Sequence, residues 1–99
     1  MKFIQTISFT SNKMDEMRRV MDDYSTESGA DAPGSIRSTV LKDRDRPNAY
    51  LVIAEFESYE QAMENSARPE TDAMAKKMGE LVDGEVTYGN YDVIAEEGS

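Results

Sequence analysis

The stretch from Tyr50 to Pro69, YLVIAEFESYEQAMENSARP, constrains the fold more than any other part of the chain. Its first part, the apolar run 50–56, contains two adjacent β-branched residues and has an aromatic residue at each end, which favours a buried strand over a helix. Ser58 follows almost at once, with Gln61 three residues later, and this capping-box pattern marks the start of a helix. The stretch therefore predicts a central strand that leads directly into a helix.

The helix that follows this strand is predicted to break between Arg68 and Pro69. Proline is favoured in the first turn of a helix, and it cannot continue one from within. Glu70 and Asp72 then fall near the positive N-terminal end of a second helical piece, where acidic side chains are stabilising. Gly84 is expected to end that piece.

The rest of the chain supplies four further elements. Strands are predicted at 3–9, where apolar and polar side chains alternate, and at 36–42 and 86–94. A stripe of methionines predicts an amphipathic helix over 14–24, capped by Ser11 or Asn12. The order is βαββαβ, which predicts an α+β, ferredoxin-like fold with a four-stranded antiparallel sheet and both helices on one face. Residues 1–94 are expected to form one domain, and residues 95–99 a flexible tail.

Composition narrows the function. The chain of 99 residues has a net charge of −9, so we expect neither nucleic acid nor a membrane surface as a partner. It has no Cys and no His, which excludes thiolate and imidazole metal sites and nucleophilic triads. We therefore expect no cofactor. The first ten residues lack the apolar run of a signal peptide, so a cytoplasmic protein is expected.

Helices on one face of the sheet leave the other face bare. We expect that face to carry large apolar side chains, for instance Phe3, Ile7 and Phe9 with Val52 and Phe56. Such a patch of several hundred Å² is larger than soluble monomers usually expose. The sequence therefore predicts a homodimer in which two sheets face each other with residual space between them.

The central stretch also resembles a known family. Phe56, Glu57, Ser58 and Ala62 match the outline of the antibiotic-biosynthesis-monooxygenase-like proteins, in which the strand often ends in Trp, followed by an acidic or polar residue, Ser and a helix containing Ala. The resemblance implies a dimeric α/β barrel, with two ferredoxin-like subunits facing each other across small-molecule cavities. A small hydrophobic or aromatic ligand is the expected partner.

The chain departs from that family where relatives often carry functional residues. Asn65 stands nine residues after the aromatic, at the place of a frequent His, and Pro69 and Glu70 stand where a Pro-His pair often follows. The haem-degrading relatives would need Asn, Trp and His at or near Ile7, Asn65 and Ala75. All three are missing, which argues against haem degradation.

The resemblance further implies which side chains line the cavity. The Trp of this strand faces the cavity in the relatives, so Tyr50, Val52, Ala54 and Phe56 are expected to face it here. Ile4, Thr6, Leu51 and Ile53 would then pack against the helices. The complete set of candidate substrate-binding residues is Gln5, Ile7, Phe9, Arg37, Tyr50, Val52, Phe56, Asn65, Tyr88 and Asn90.

Each polar candidate also has a structural alternative. Gln5, Asn90 and the two tyrosines are each either ligand-orienting groups or satisfied structural ones, since buried polar groups must find partners. Arg37 either contacts the ligand or pairs with an acid. Asn65 either works in the cavity or caps the helix break. The charged loop 43–46 is either solvated or a lid over a pocket.

Two functional hypotheses follow. In the first, the protein is an enzyme without metal or organic cofactor that acts on an aromatic or polyketide-like molecule by oxygenation, isomerisation or cyclisation. Amide and phenol groups would polarise the substrate, and its own enolate or phenolate would supply the reactivity. In the second, the protein is a non-catalytic binding or accessory protein that holds a hydrophobic ligand.

Overall fold

The described residues of the chain fold as a four-stranded antiparallel sheet with three helices. The computed structural model describes residues 1–28 and 35–98. The Gly- and Pro-containing segment SGADAPGS at 28–35, whose composition predicts a turn-rich connection, lies largely outside these residues. The elements are β1 (Phe3–Thr10), α1 (Met14–Ser28), β2 (Ser35–Lys42), β3 (Ala49–Phe56), α2 (Tyr59–Ser66), α3 (Pro69–Leu81) and β4 (Thr87–Asp92). The strand order is β2-β3-β1-β4, and the predicted ferredoxin-like α+β fold is confirmed. No helix in the described part of the chain is long and apolar enough to cross a membrane.

The central strand is β3, as the apolar run predicts. It pairs with β1 over its whole length, from the Phe3–Phe56 pair to the Thr10–Ala49 pair. On its other side it pairs with β2, with an irregularity between Ser35 and Arg37. Two neighbouring strands satisfy its backbone on both sides, which fits a run whose side chains are mostly buried or half-buried.

The helix after β3 breaks where proline predicts it. Ser58 is the N-cap of α2, and its side chain accepts the Gln61 N–H at 3.2 Å. Arg68 then takes up an extended conformation, with φ −72° and ψ 140°, and Pro69 begins α3. Because proline disfavours helical backbone in the residue before it, the two helices are joined at a bend.

The start of α1 differs from the expected cap. The helix begins at Met14, and Ser11 lies outside it, fully buried. The Ser11 hydroxyl accepts the Lys13 N–H at 3.0 Å and donates to the Leu81 carbonyl at 2.6 Å. Ser11 therefore joins the start of α1 to the end of α3 instead of capping a single helix.

The loop between β2 and β3 is closed by its own contacts. The Asp43 carboxylate accepts the backbone N–H groups of Asp45 and Arg46 at 2.8 and 3.2 Å and the Arg46 Nε at 3.1 Å. The Asp45 N–H contributes most to holding the pKa of the Asp43 carboxyl below its ordinary value of 3.8. Asn48 completes the turn with φ 60°, a conformation that Asn tolerates well.

The two faces of the sheet are the reverse of the sequence-based assignment. One core cluster joins Phe9 and Val52 to Met17 of α1 and Met78 of α3, and a second joins Phe3 and Phe56 to Ala62 of α2. The side chains expected on the bare face are therefore the ones that the helices cover.

The face without helices, called the open face below, carries the alternate residues of each strand. They are Ile4, Thr6 and Ser8 of β1, Arg37, Thr39 and Leu41 of β2, Leu51, Ile53 and Glu55 of β3, and Thr87, Gly89 and Tyr91 of β4. The open face mixes apolar side chains with Thr, Ser and a charged pair. The opposite face carries mostly large apolar side chains, whose removal from water is favourable, so the helices pack on that face.

A cavity between the sheet and the helices

A cavity of about 590 Å³ lies within the single chain, between the helix-covered face of the sheet and the helices. Its floor includes Phe9, Val52 and Phe56, and its roof includes Met74 and Met78 of α3. The exposed members of the lining come from α1 with β2, from Ser66 of α2, and from α3 with β4. Because β2 and β4 are the two edges of the sheet, the cavity extends beneath the helices from one edge towards the other.

The structure brings most of the predicted site residues together. Eight of the ten candidates line this cavity: Gln5, Ile7, Phe9, Arg37, Val52, Phe56, Asn65 and Tyr88. The location of these residues differs from the predicted one. The sequence placed these residues between two facing sheets of a dimer, and the structure places them under the helices of one chain.

The two remaining candidates, Tyr50 and Asn90, share the helix-covered face but do not line the cavity. Tyr50 stacks on Phe9 with ring centres 5.8 Å apart and borders a second, more open depression. The Asn90 side-chain oxygen accepts from Gln5 Nε2 at 3.4 Å. Asn90 therefore contacts a residue that lines the cavity without lining it itself.

The most organised polar group of the cavity joins three helices. The Tyr24 hydroxyl of α1 donates to the Asn65 side-chain oxygen of α2 at 3.1 Å and lies 2.9 Å from the Thr71 hydroxyl of α3. All three residues line the cavity and are partly buried. The Asn65 carbonyl, by contrast, accepts the Arg68 N–H at the helix break. The backbone of Asn65 thus serves the turn, while its side chain belongs to the cavity wall.

Charged residues stand at the rim of the cavity and are paired. Arg37 borders the cavity at the β2 edge, but its guanidinium forms an ion pair at 2.6 Å with Glu55, which lies on the open face. Arg18 lies 3.7 Å from Asp22 one helical turn on, and Lys76 lies 3.1 Å from Asp72 in the same spacing. Among the described residues no group of three or more His, Cys, Asp or Glu side chains is placed to hold a metal. The polar groups inside the cavity are consequently amides and hydroxyls.

Sequence reasoning missed the residues that the helices contribute. Met21, Met74 and Met78 line the cavity, as do Tyr24 and Thr71. A methionine stripe on a helix favours core packing over an adaptable binding face, and Met17 does pack in the core, but Met21 and Met74 pack against that core and also line the cavity. The methionines themselves were a sequence signal for a cavity wall, because the flexible, unbranched Met side chain adapts its shape to a bound ligand.

These features define a ferredoxin-like protein with an internal cavity walled by apolar side chains and by a small number of polar ones. No family model matches the chain, and no curated protein matches it in sequence. Solved structures match it over nearly its whole length.

SnoaB, a cofactor-independent oxygenase from Streptomyces nogalater, is 21% identical in one crystal structure, with a TM-score of 0.83 and coverage of 96% of this chain and 95% of that chain. A putative antibiotic biosynthesis monooxygenase from Caulobacter crescentus is 16% identical, with a TM-score of 0.83, and the match covers 95% of this chain and 91% of that chain. Rv0793 from Mycobacterium tuberculosis is 15% identical, with a TM-score of 0.80, and the match covers 99% of this chain and 100% of that chain. The chain has the ferredoxin-like fold of the antibiotic-biosynthesis-monooxygenase-like proteins, and the resemblance seen in the sequence is confirmed at the level of the fold.

Proposed function

We propose that the protein binds a small aromatic or polyketide-like molecule in the cavity between its sheet and helices and oxygenates it without metal or organic cofactor. The observation that carries the proposal is the cavity itself. Its volume of about 590 Å³ falls within the roughly 300–1,000 Å³ typical of small-molecule sites. The fold that it shares with SnoaB, a cofactor-independent oxygenase, supports the choice of reaction.

The lining suits a flat ligand with an oxygen at one end. Phe9, Val52 and Phe56 offer an apolar floor, and the methionines of the roof adjust to the shape of the ligand. Gln5 and Asn65 offer amide groups that orient a carbonyl or hydroxyl oxygen. In the apolar surroundings, a hydrogen bond to a developing enolate oxygen is stronger than in water.

The reaction needs no external reductant. A ring methylene next to a carbonyl enolises, and the resulting carbanion reduces O₂ to give a hydroperoxide on that carbon. Loss of water from the hydroperoxide leaves a new carbonyl group. One oxygen atom of O₂ enters the product and the other leaves as water, so that CH₂ and O₂ yield C=O and H₂O. The protein contributes binding, orientation and stabilisation of the enolate oxygen.

Oxygen uptake with anthrone, a tricyclic ketone with such a methylene, tests the proposal. We expect the protein to accelerate oxidation to the quinone with one O₂ consumed per molecule. Ala75 lines the cavity from α3, whereas Ala73 of the same helix does not. Ala75→Trp should therefore abolish the acceleration, and the matched control Ala73→Trp should retain it. Equal effects of the two variants, or an uptake no faster than without protein, would refute the reaction.

A specific observation favours a second candidate, a non-catalytic ligand-binding protein. The charged residues at the rim are held in ion pairs, and the interior polar groups are neutral amides and hydroxyls. Such a site binds without moving protons. If anthrone or related aromatics bind at saturation, Ala75→Trp blocks the binding, and no oxygen is consumed, the binding function holds and the oxygenase function fails.

We also propose that the protein is a homodimer joined through the open face. Leu41 and Tyr91 on this face are 41% and 58% exposed in the single chain. Ile4, Leu51 and Ile53 lie beside them on neighbouring strands, so that the apolar side chains are contiguous. Covering them would remove apolar area from water in both copies, at a favourable ~25 cal/mol per Å² before association costs.

Sedimentation velocity tests the dimer. Ile53 sits at the centre of the open face, so Ile53→Glu places a charge in each copy of the interface, whereas Glu57→Lys changes charge outside the sheet. We expect a dimer for the native protein and the control, and a monomer for Ile53→Glu. A native protein that sediments as a monomer at micromolar concentration would disprove the interface.

A further inference from the structure

Two methionines of the cavity wall have counterparts outside the cavity that are buried to a similar degree. Met21 of α1 and Met74 of α3 are half-buried and line the cavity. Met14 of α1 and Met63 of α2 are half-buried as well, and neither of them lines the cavity. Exposure to solvent therefore does not separate the two pairs, and a difference in their reactivity would come from what the cavity holds.

Thioether sulfur is the most easily oxidised group in the described wall of the cavity. The chain has no Cys, and the rest of the described lining consists of hydrocarbon, hydroxyl, amide, guanidinium and carboxylate groups. Oxidation of Met gives the sulfoxide. Met78 also lines the cavity, but it is packed into the core cluster with Phe9 and Val52. Met21 and Met74 are therefore the sulfur atoms that a bound oxidant reaches most readily.

The proposed oxygenation forms such an oxidant, a hydroperoxide, inside the cavity. A sulfur lone pair attacks the terminal oxygen of the hydroperoxide, the O–O bond breaks, and an S–O bond forms. The proton of the terminal oxygen passes to the oxygen that leaves. ROOH and R′SCH₃ thus give ROH and R′S(O)CH₃, in which sulfur is oxidised and the hydroperoxide is reduced by two electrons. The transfer needs no other reagent.

We propose that Met21 and Met74 are modification sites that accept an oxygen atom from an aromatic hydroperoxide bound in the cavity. The inference rests on the aromatic-ligand binding of the proposed function, and it adds a second fate for the bound oxygen. A sulfoxide is polar, so each transfer makes an apolar part of the wall polar and weakens the binding of an apolar ligand. The cavity thereby limits its own use.

Two peroxides separate attack within the cavity from attack by solvent. Cumene hydroperoxide is an aromatic hydroperoxide that fits a cavity of about 590 Å³, whereas hydrogen peroxide has no apolar part to bind there. Peptide mass spectrometry follows sulfoxide formation at each methionine, and the rate with cumene hydroperoxide is divided by the rate with hydrogen peroxide. We expect this ratio to be about fivefold or more higher at Met21 and Met74 than at Met14 and Met63, because binding brings the reactants together.

Blocking the cavity should remove that excess. Ala75→Trp fills the cavity, and Ala73→Trp on the same helix is the matched control that should keep the excess. Circular dichroism establishes that both variants are folded. In the native protein, 9-fluorenone, a flat aromatic molecule without a peroxide group, should remove the excess by competition. Equal ratios at all the half-buried methionines, or an excess that survives both treatments, would overturn the inference.

The effect of the sulfoxides on the cavity is measured by fluorenone binding. The double variant Met21→Leu, Met74→Leu keeps apolar side chains of similar volume and removes both sulfur atoms. After treatment with cumene hydroperoxide, the native protein should bind fluorenone several times more weakly, and this variant should keep its affinity. The control Met14→Leu, Met63→Leu should lose affinity as the native protein does. Equal losses in all three proteins would contradict the assignment.

Incubation with anthrone under ¹⁸O₂ separates the inference from the proposed reaction. A sulfoxide formed from the ring hydroperoxide carries ¹⁸O, and we expect this label at Met21 and Met74. If oxygen is consumed over many turnovers and neither methionine is labelled, the inference is wrong and the oxygenase stands. If no oxygen is consumed but cumene hydroperoxide gives the excess, the oxygenase fails and the modification sites stand.

Discussion

Gly89 is the position where a single added methyl group should reveal how tightly the open face is packed. A Cβ at Gly89 would lie 2.5 Å from the Thr6 hydroxyl oxygen and 2.7 and 2.9 Å from the Tyr91 ring carbon Cε2 and hydroxyl. Tyr91 therefore lies across the glycine on the open face. The glycine is needed here for space, since its backbone is that of an ordinary strand residue paired with Thr6.

Two opposing free-energy terms decide whether Gly89→Ala stabilises or destabilises the protein. In a strand, Ala is more favourable than Gly by about 0.5–1 kcal/mol, because glycine loses more backbone entropy on folding. Overpacking costs about 1–3 kcal/mol. Tyr91 is 58% exposed and can swing aside, but the β-branched Thr6 has few rotamers with which to yield. We expect Gly89→Ala to destabilise by a net ~1–2 kcal/mol.

Urea denaturation followed by circular dichroism, at one protein concentration for all variants, measures the effect. Gly79→Ala is the matched control: Gly79 lies in α3, and a Cβ there meets no atom within 4 Å. That variant should be more stable than the native protein by about 1 kcal/mol, the helix propensity of Ala over Gly. The two Gly→Ala changes should therefore shift the midpoint in opposite directions.

The contact with Thr6 is tested by a double-mutant cycle. In a Thr6→Ala background the hydroxyl oxygen is gone, so Gly89→Ala should lose most of its cost, with a coupling energy of about 1 kcal/mol. A Gly89→Ala protein as stable as the native one would refute the packing described for the open face. An equal cost in both backgrounds would show that Thr6 is not the obstacle.

Two further predictions concern stability. Ser11→Ala removes a fully buried hydroxyl that bonds the Leu81 carbonyl at 2.6 Å, so unfolding should become easier by about 1–3 kcal/mol, and an unchanged urea midpoint would contradict this. The pKa of the Asp43 carboxyl is lowered, so its contribution to stability is present above pH 3.8 and is lost as the pH falls through the folded-state pKa. The ¹³C titration midpoint of Asp43 should lie below 3.8 and should rise in Arg46→Ala, because Arg46 donates to this carboxylate; no rise would contradict the ion pair.

The element order was predictable because it depends on local patterns. The capping box at Ser58 and the break at Pro69 each act through neighbouring backbone, so their positions in the structure match the sequence. The same holds for β3, whose apolar run needs no knowledge of the rest of the fold. Ser11 does not cap α1 because the helix begins only at Met14, so the N–H that its hydroxyl accepts is that of Lys13, ahead of the helix, while its own hydrogen goes to Leu81, 70 residues along the chain.

Which strand residues share a face was predictable, but the place of the cavity that they line was not. Register alone puts Gln5, Ile7 and Phe9 on one face with Val52 and Phe56. Whether that face meets helices or a second sheet depends on which face has the larger apolar area to bury, and this had to be judged from both faces together. Thr6, Ser8 and Glu55 on the other face were the signal that it is the more polar one. The helix-borne part of the wall was not predictable from strand alternation at all.

The bend between α2 and α3 has a geometric consequence for the cavity wall. Asn65 and Thr71 are six residues apart, and on one continuous helix their side chains would point roughly 120° away from each other. Interrupted at Arg68 and Pro69, the chain changes direction between them, and both side chains reach the same phenol. The junction at Arg68 and Pro69 therefore sets the angle between α2 and α3. At this angle the side chains of Asn65 and Thr71 converge on the Tyr24 hydroxyl in the wall of the cavity.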